Sequence, residues 1–378
     1  MTDAQNNKHR ESNQPKESEE VALNSYREKI DLLDIELQNS IALRAHYAHE
    51  IGEIKRRTEG SATFYRPERE AQVLRRVMER NQGPLEADEM VKIFRQIMSS
   101  CLALEQKLRV GFLGPEGTFT QVATLKHFGC SVDAVALNSI DEVFREVAAG
   151  AADYGVVPVE NSSEGMVSHT LDTFMEYALK ICGEVEVRIH HHLLVGDHAK
   201  PESIKRIYSH QQSLGQCRKW LDSHYPKAER VAVSSNAEAA KRVIDEWHAA
   251  AIAGELAQEK YHLRKIAENI EDNPQNTTRF LVIGRKVVPR SGEDKTSIIV
   301  STKNKPGALH ELIEPFKRRG ISLTRIETRP SKTSNWSYVF FIDFEGHIDD
   351  EPVKAVLADI ESNVVELKVL GSYPKAVV

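Results

Sequence analysis

The sequence predicts a multidomain chain in three folded segments: an all-helical one over residues 21–108, an α/β one over 109–285 and a smaller α+β one over 296–372. Three observations carry that prediction. From Glu20 to Arg57 there is no proline and one internal glycine, Gly52, and apolar residues recur three or four positions apart, the spacing of one helix face. From Arg109 onward short apolar runs alternate with helical stretches, as in an α/β sheet. After a linker at 286–295 that contains Pro289, Ser291 and Gly292, the order becomes strand, helix, strand, strand, helix, strand. A length of 378 residues fits two or three domains.

Composition narrows the function classes. With 40% hydrophobic and 28% charged residues the chain has the profile of a soluble globular protein. Its net charge of -6 offers no basic field for nucleic acid, so an acidic substrate has to be held by local cations. No apolar run reaches membrane-spanning length. Cys101, Cys130, Cys182 and Cys217 are far apart and form no metal-ligand spacing, which suits a reducing cytoplasm. Residues 1–20 are polar and charged, lack the apolar core of a signal peptide and are expected to be a disordered tail.

The first helix carries an apolar stripe of Ile30, Leu33, Leu37, Ile41, Ala48 and Ile51, with Arg44 at the skipped position and Arg27 and Lys55 at its two ends. Long basic side chains can snorkel to water. Three of them on one seam favour an internal anion site, because buried charge needs a partner. About 38 helical residues span roughly 57 Å, longer than a small domain, so the far end is expected to pack on a second copy of the chain, in a dimer or a higher oligomer. Two further helices follow the Gly60–Thr63 break, one from Pro67 to Arg80 and one from Glu86 to Leu108, where Glu105 shares a face with Ile93, Ile97 and Cys101.

These helices, with Arg27, Arg44, Lys55, Arg69, Glu70 and Glu105, resemble the all-helical chorismate mutase domain. The resemblance implies that the arginines grip the two carboxylates of chorismate, that Lys55 reaches the enolpyruvyl side, and that one arginine comes from the partner subunit. Arg66 and Cys101 depart from residues found in some members. The rearrangement to prephenate needs no base or nucleophile, only a compact substrate conformer and stabilised charge on the ether oxygen. Lys55 can donate to that oxygen as it stands, and Glu105 only when protonated.

In the α/β segment, strand Arg109–Leu113 runs into Gly114-Pro115-Glu116-Gly117-Thr118, which has neither a P-loop ending nor the dinucleotide glycine spacing but could hold a carboxylate. Helices near 120–128 and 140–149 and strands near 133–136 and 154–157 follow. Strands near 191–195, 204–208, 231–233 and 249–253 repeat the rhythm. Polar tips then gather at strand ends, where α/β sheets bind ligands: Glu160-Asn161-Ser162, Ser209-His210, Ser235-Asn236 and Asn276-Thr277-Thr278-Arg279-Phe280. Strand alternation would split His190, His191 and His192 between two faces, and no Cys or paired carboxylate completes a set, so no metal or other cofactor is expected.

These motifs resemble prephenate dehydratase, which implies two lobes like those of type II periplasmic binding proteins with the site between them. Carried over, Thr278 is the principal catalytic residue. Arg279, Phe280, Glu160, Asn161, Ser162, Ser209, His210 and Asn236 are expected around prephenate. Expulsion of hydroxide and carbon dioxide needs a proton or strong hydrogen bonds on the leaving hydroxyl. Thr278 suits a positioned donor, and Glu160 or His210 could be the ultimate acid. Arg279 could bind a carboxylate or brace the loop.

The last segment resembles the ACT domain of the same enzymes through Gly307-Ala308-Leu309 and Glu327-Thr328-Arg329-Pro330, which implies phenylalanine as an allosteric inhibitor. Together the segments resemble the bifunctional chorismate mutase/prephenate dehydratase family. Two other readings are an amino-acid-responsive binding protein and a dehydratase that prefers arogenate.

Overall fold

The computed structural model describes residues 14–58, 64–302, 305–330 and 338–377. The expected tail lies outside these residues up to position 13, as do the Gly60–Thr63 break, Asn304 and Trp336. The chain divides into two compact units, 1–64 and 65–378.

In the first unit a single helix, α1 (Gln14–Thr58), extends six residues further toward the N-terminus than its apolar pattern indicated. Its stripe is open to solvent: Ile30, Leu33, Leu37 and Ile51 are each more than half exposed. Burying one such side chain is worth about 1.5–3 kcal/mol, so the stripe is a surface with unmet packing.

The second unit begins with α2 (Pro67–Arg80) and α3 (Ala87–Glu105), antiparallel neighbours joined by a short loop. Proline at the start of α2 lacks only an N–H that has no intrahelical partner. Lobe 1 follows: β1 (Arg109–Leu113), α4 (Phe119–Phe128), β2 (Asp133–Leu137), α5 (Ile140–Ala148), β3 (Tyr154–Asn161), β4 (Gly165–Met166), α6 (Ser168–Glu176) and β5 (Lys180–Arg188). Lobe 2 holds β6 (His192–Val195), β7 (Arg206–His210), α7 (Gln211–Gln216), α8 (Arg218–His224), β8 (Glu229–Val233), α9 (Asn236–Arg242), β9 (Ala249–Ala253), α10 (Glu255–Lys260) and β10 (Arg264–Ala267). The chain then returns to lobe 1 as β11 (Thr277–Gly284).

Lobe 1 is a sheet of order β2-β1-β3-β11-β5, with β4 beside β3. Strands β1, β2 and β3 are parallel, and the returning β11 is antiparallel to both β3 and β5. Lobe 2 has order β10-β6-β9-β7-β8 and is likewise mixed. The sheets are therefore not wholly parallel, because two crossings between lobes, at 189–191 and 268–276, bring strands back in the opposite sense. The Pro158–Asn161 tip is also no loop: β3 continues through it.

The C-terminal segment forms β12 (Asp294–Thr302), α11 (Ala308–Arg318), β13 (Leu323–Pro330), β14 (Tyr338–Glu345), α12 (Glu351–Glu361) and β15 (Glu366–Pro374). Its sheet runs β13-β14-β12-β15, entirely antiparallel. Ile298, Val300, Phe340 and Ile342 pack under α11 and α12. Ile299, Val339, Phe341 and Leu370, on the opposite face by strand alternation, join Val157, Leu171, Leu281 and Ile283 of lobe 1 in one core. This segment is thus fused to lobe 1 through a continuous apolar layer. Among the described residues no helix is long and apolar enough to cross a membrane, and all four cysteines are free.

Candidate active site

The cleft between the lobes holds a cavity of about 240 Å³. Its wall includes Gly114, Thr118 and Phe119 of lobe 1, Asn161 of β3, His210, Ser213 and Gln216 of lobe 2, Asn236 of α9, and Thr278 and Phe280 of β11. Strand alternation explains why Thr278 and Phe280 share this wall while Arg279 does not.

Thr278 is held at the mouth of β11 by an amide relay. Asn161 Oδ1 accepts the backbone N–H groups of Ser163 (2.9 Å) and Glu164 (3.1 Å), which fixes the orientation of its side chain. Asn161 Nδ2 then donates to Thr278 Oγ1 (2.8 Å) and to Asn276 Oδ1 (3.0 Å). Because Thr278 Oγ1 accepts there, its own O–H is free to point at a ligand; no acceptor among the described residues takes it. Ser162 clamps the same strand end, its N–H donating to the Thr277 carbonyl (2.9 Å) and its Oγ accepting from the Thr277 N–H (3.0 Å). A β-bulge between Arg279 and Phe280 sits next to the site and re-aims the strand.

Lobe 2 supplies the facing polar groups. Asn236 Oδ1 accepts the His210 N–H (3.0 Å) and its Nδ2 donates to Ser213 Oγ (2.9 Å). Ser209, expected to touch substrate, is fully buried and lies 2.8 Å from both Asn236 Oδ1 and the Ile252 carbonyl, so it positions Asn236 instead. His210 Nδ1 caps α7 by accepting the Gln212 N–H (3.3 Å). Across the cleft Glu116 of the glycine turn pairs with Lys260 of α10.

Arg279 and Glu160 also depart from expectation. Arg279 does not face the cleft: its Nε donates to Glu184 (2.9 Å), one terminal nitrogen to Asp343 (2.7 Å) and the other to the Tyr373 hydroxyl (3.0 Å), all buried at the boundary with the C-terminal sheet. Of its two expected roles only bracing fits. Glu160 also points away, pairing with Arg325 of β13. A carboxylate gripped by a guanidinium accepts hydrogen bonds and does not supply protons, so Glu160 is a poor acid. Two wall residues, His191 and Gln216, escaped the sequence reading. Strand alternation separates the three histidines, but weighing them only as metal ligands leaves His191 out of the site. Gln216 closes the helix that Ser209-His210 opens.

The helical residues are less converged. Along α1, Arg44 and Lys55 are eleven positions apart and share a face, whereas Arg27 is about 25 Å from Arg44 at 1.5 Å per residue. In the second unit Arg69 is exposed and Glu105 ends α3. Glu70, expected with Arg69 as a substrate ligand, is turned the other way. Its carboxyl lies 3.7 Å from Arg95 Nε, in a small cavity closed by C-terminal residues 374–377. Burial pushes its pKa up to about 7 against the pull of Arg95. Arg95 in turn donates to the Val377 carbonyl (2.8 Å).

In the C-terminal segment Gly307 has φ of 85°, a left-handed conformation that suits glycine, at the start of α11. Ala308 and Leu309 begin that helix. Glu327, Thr328, Arg329 and Pro330 end β13, an edge strand separated from β12 by β14. Arg329 reaches into lobe 1, donating to Ser168 Oγ (2.5 Å) and Asp172 (3.2 Å).

All three segments are similar to known proteins. Residues 26–106 match the family described as chorismate mutase type II, 110–288 prephenate dehydratase and 296–362 the ACT domain. A bifunctional chorismate mutase/prephenate dehydratase of Pseudomonas aeruginosa is 62% identical over 94% of this chain and 98% of its own length. One from Stutzerimonas stutzeri is 62% identical over 95% and 100%. The structure of prephenate dehydratase from Arthrobacter aurescens in complex with L-Phe is 36% identical, covers 70% of this chain and 89% of its own, and superposes with a TM-score of 0.66. The chain belongs to the bifunctional chorismate mutase/prephenate dehydratase family.

Proposed function

We propose that the chain rearranges chorismate to prephenate, converts prephenate to phenylpyruvate in the interlobe cleft, and is restrained by phenylalanine at the ACT domain, in the reducing cytoplasm. The observation that carries the dehydratase reading is Thr278, with its O–H left free by the Asn161 bond and aimed from the cleft wall. That hydroxyl stabilises the leaving oxygen as negative charge develops on it. No Lys or Arg is among the wall residues, so the substrate carboxylates meet hydroxyls, amides and the first N–H groups of α4. No Asp or Glu lines the wall either, so the ammonium of arogenate would find no carboxylate there, which favours the keto acid.

For the mutase, a molecule as small as chorismate does not bridge the 25 Å or so between Arg27 and Arg44 on one helix. The exposed stripe of α1 supports pairing with a second copy, whose Arg27 joins Arg44 and Lys55. Arg69, Glu70 and Glu105 are the remaining mutase candidates by resemblance, and Glu70 is engaged with Arg95. Arg27→Ala and Lys55→Ala should each abolish mutase turnover, and a refolded equal mixture should recover about a quarter of wild-type activity, one intact site in each mixed dimer. A mixture as inactive as its components overturns the shared site.

For regulation, β13 touches the dehydratase directly, through Arg325 on Glu160 and Arg329 on Ser168 and Asp172. Phenylalanine acts by favouring a less active arrangement of this boundary, since equal affinity for both arrangements would shift nothing.

A further inference from the structure

The conversion of prephenate, a dianion, to phenylpyruvate, carbon dioxide and water consumes one proton, and the cleft has to deliver it to the departing oxygen. Among the wall residues the only imidazole side chains are those of His191 and His210. Their second ring nitrogens differ. His210 Nδ1 accepts the Gln212 N–H that caps α7, so taking a proton there would break the cap.

The state of His191 follows from the relay. Backbone N–H groups of Ser163 and Glu164 orient Asn161, whose Nδ2 donates to Asn276 Oδ1; Asn276 Nδ2 therefore donates to Gln216 Oε1 (3.0 Å). That oxygen is an acceptor, so His191 Nε2, 2.9 Å away, carries the hydrogen. Nδ1 of the neutral ring is then a bare lone pair. It is buried, and no partner among the described residues takes it. The residue is 1% exposed and its ring meets Phe119, another wall residue, edge to face at 5.6 Å. An unpartnered buried polar atom costs about 1–3 kcal/mol, a cost that a contact with substrate removes.

We propose that His191 is a catalytic residue of the dehydratase, the group whose Nδ1 takes up a proton as prephenate binds and passes it to the leaving hydroxyl. As the ring carboxylate leaves as carbon dioxide, its C–C bonding pair enters the ring and the C–O bond breaks with its pair on oxygen. Nδ1–H supplies the proton that makes this oxygen water, and Thr278 donates a hydrogen bond to it. His191 returns to the neutral form and is reprotonated from solvent in the next cycle. Burial holds the free imidazole neutral, although Gln216 and Glu271 favour its charged form; His192 and His190 oppose it. The two negative charges of the substrate shift that balance toward the imidazolium.

The proposal rests on the dehydratase activity. A wild-type chain that makes no phenylpyruvate from prephenate refutes that activity; an active wild type with an equally active variant refutes only the role of His191. His191→Gln keeps an amide N–H for Gln216 but no atom equivalent to Nδ1. Its dehydratase kcat should fall on the order of 10²–10⁴-fold, with mutase turnover and phenylalanine binding retained as the test of folding. The alkaline decline of wild-type kcat should be absent from the residual rate. Turnover within threefold of wild type, or an unchanged alkaline limb, overturns the proposal. Should the Gln variant lose mutase activity as well, the wild-type profile decides: no decline in dehydratase kcat between about pH 6 and 9 overturns it.

Discussion

Replacing Thr278 by Val removes one hydroxyl and little volume, and the structure separates its two consequences. The first is catalytic. Thr278 Oγ1 accepts from Asn161, leaving its O–H as the donor to the departing oxygen, and loss of one such donor costs about 10²–10³-fold in turnover, or roughly 3 kcal/mol. The second is structural. At 8% exposure Thr278 is buried, and the half-buried Asn161 N–H that bonded it loses its partner, at a cost of about 1–3 kcal/mol of stability. Thr278→Ser, which restores the hydroxyl, should regain most of both. The assay is prephenate to phenylpyruvate with chorismate consumption followed on the same sample, because the mutase residues lie elsewhere in the sequence. A Val variant within threefold of wild type in dehydratase kcat would refute the donor role.

Other consequences are as direct. Gly307→Ala places a side chain at φ of 85°, so the half-inhibitory phenylalanine concentration should rise severalfold with uninhibited rates preserved; an unchanged inhibition curve would remove Gly307 from the effector site. Arg325→Gln frees Glu160 from β13 and should blunt inhibition while calorimetry still detects phenylalanine binding; intact inhibition would count against that contact as the link. Glu70 is held near 7 in the folded chain against an ordinary 4.5, so its protonated form stabilises the fold fully below pH 4.5. About 3 kcal/mol is lost as pH rises through 7. The thermal midpoint should fall over that window and Glu70→Gln should flatten the fall; parallel profiles would contradict the burial of this carboxyl.

Much of the fold is legible in the sequence because local rules and tertiary packing agree. Pro67 marks the start of α2, the Ala249–Ala253 run is a strand at its predicted bounds, and the final βαββαβ order is reproduced element by element. The strand β5 goes unassigned in the sequence, where the charges at Glu184, Glu186 and Arg188 interrupt its apolar run; Glu184 is buried because Arg279 and Lys295 neutralise it. The site was legible as a set of polar strand ends but not in its directions. Period-two alternation on β3 and β11 turns Asn161 and Thr278 inward and Glu160 and Arg279 outward, and only the paired register decides which parity faces the cleft. Besides Glu184, the partners of the outward pair, Arg325, Asp343 and Tyr373, come from a segment that the sequence marks as regulatory. No short-range pattern could have announced those contacts.

One chain carries two consecutive reactions and a sensor of their eventual product. The most direct measurement supplies purified chain with chorismate alone and follows phenylpyruvate, with and without phenylalanine. Transient prephenate should appear, then phenylpyruvate, with the second step slowed by phenylalanine; prephenate accumulating unconverted, or formation of phenylpyruvate indifferent to phenylalanine, would contradict this assignment.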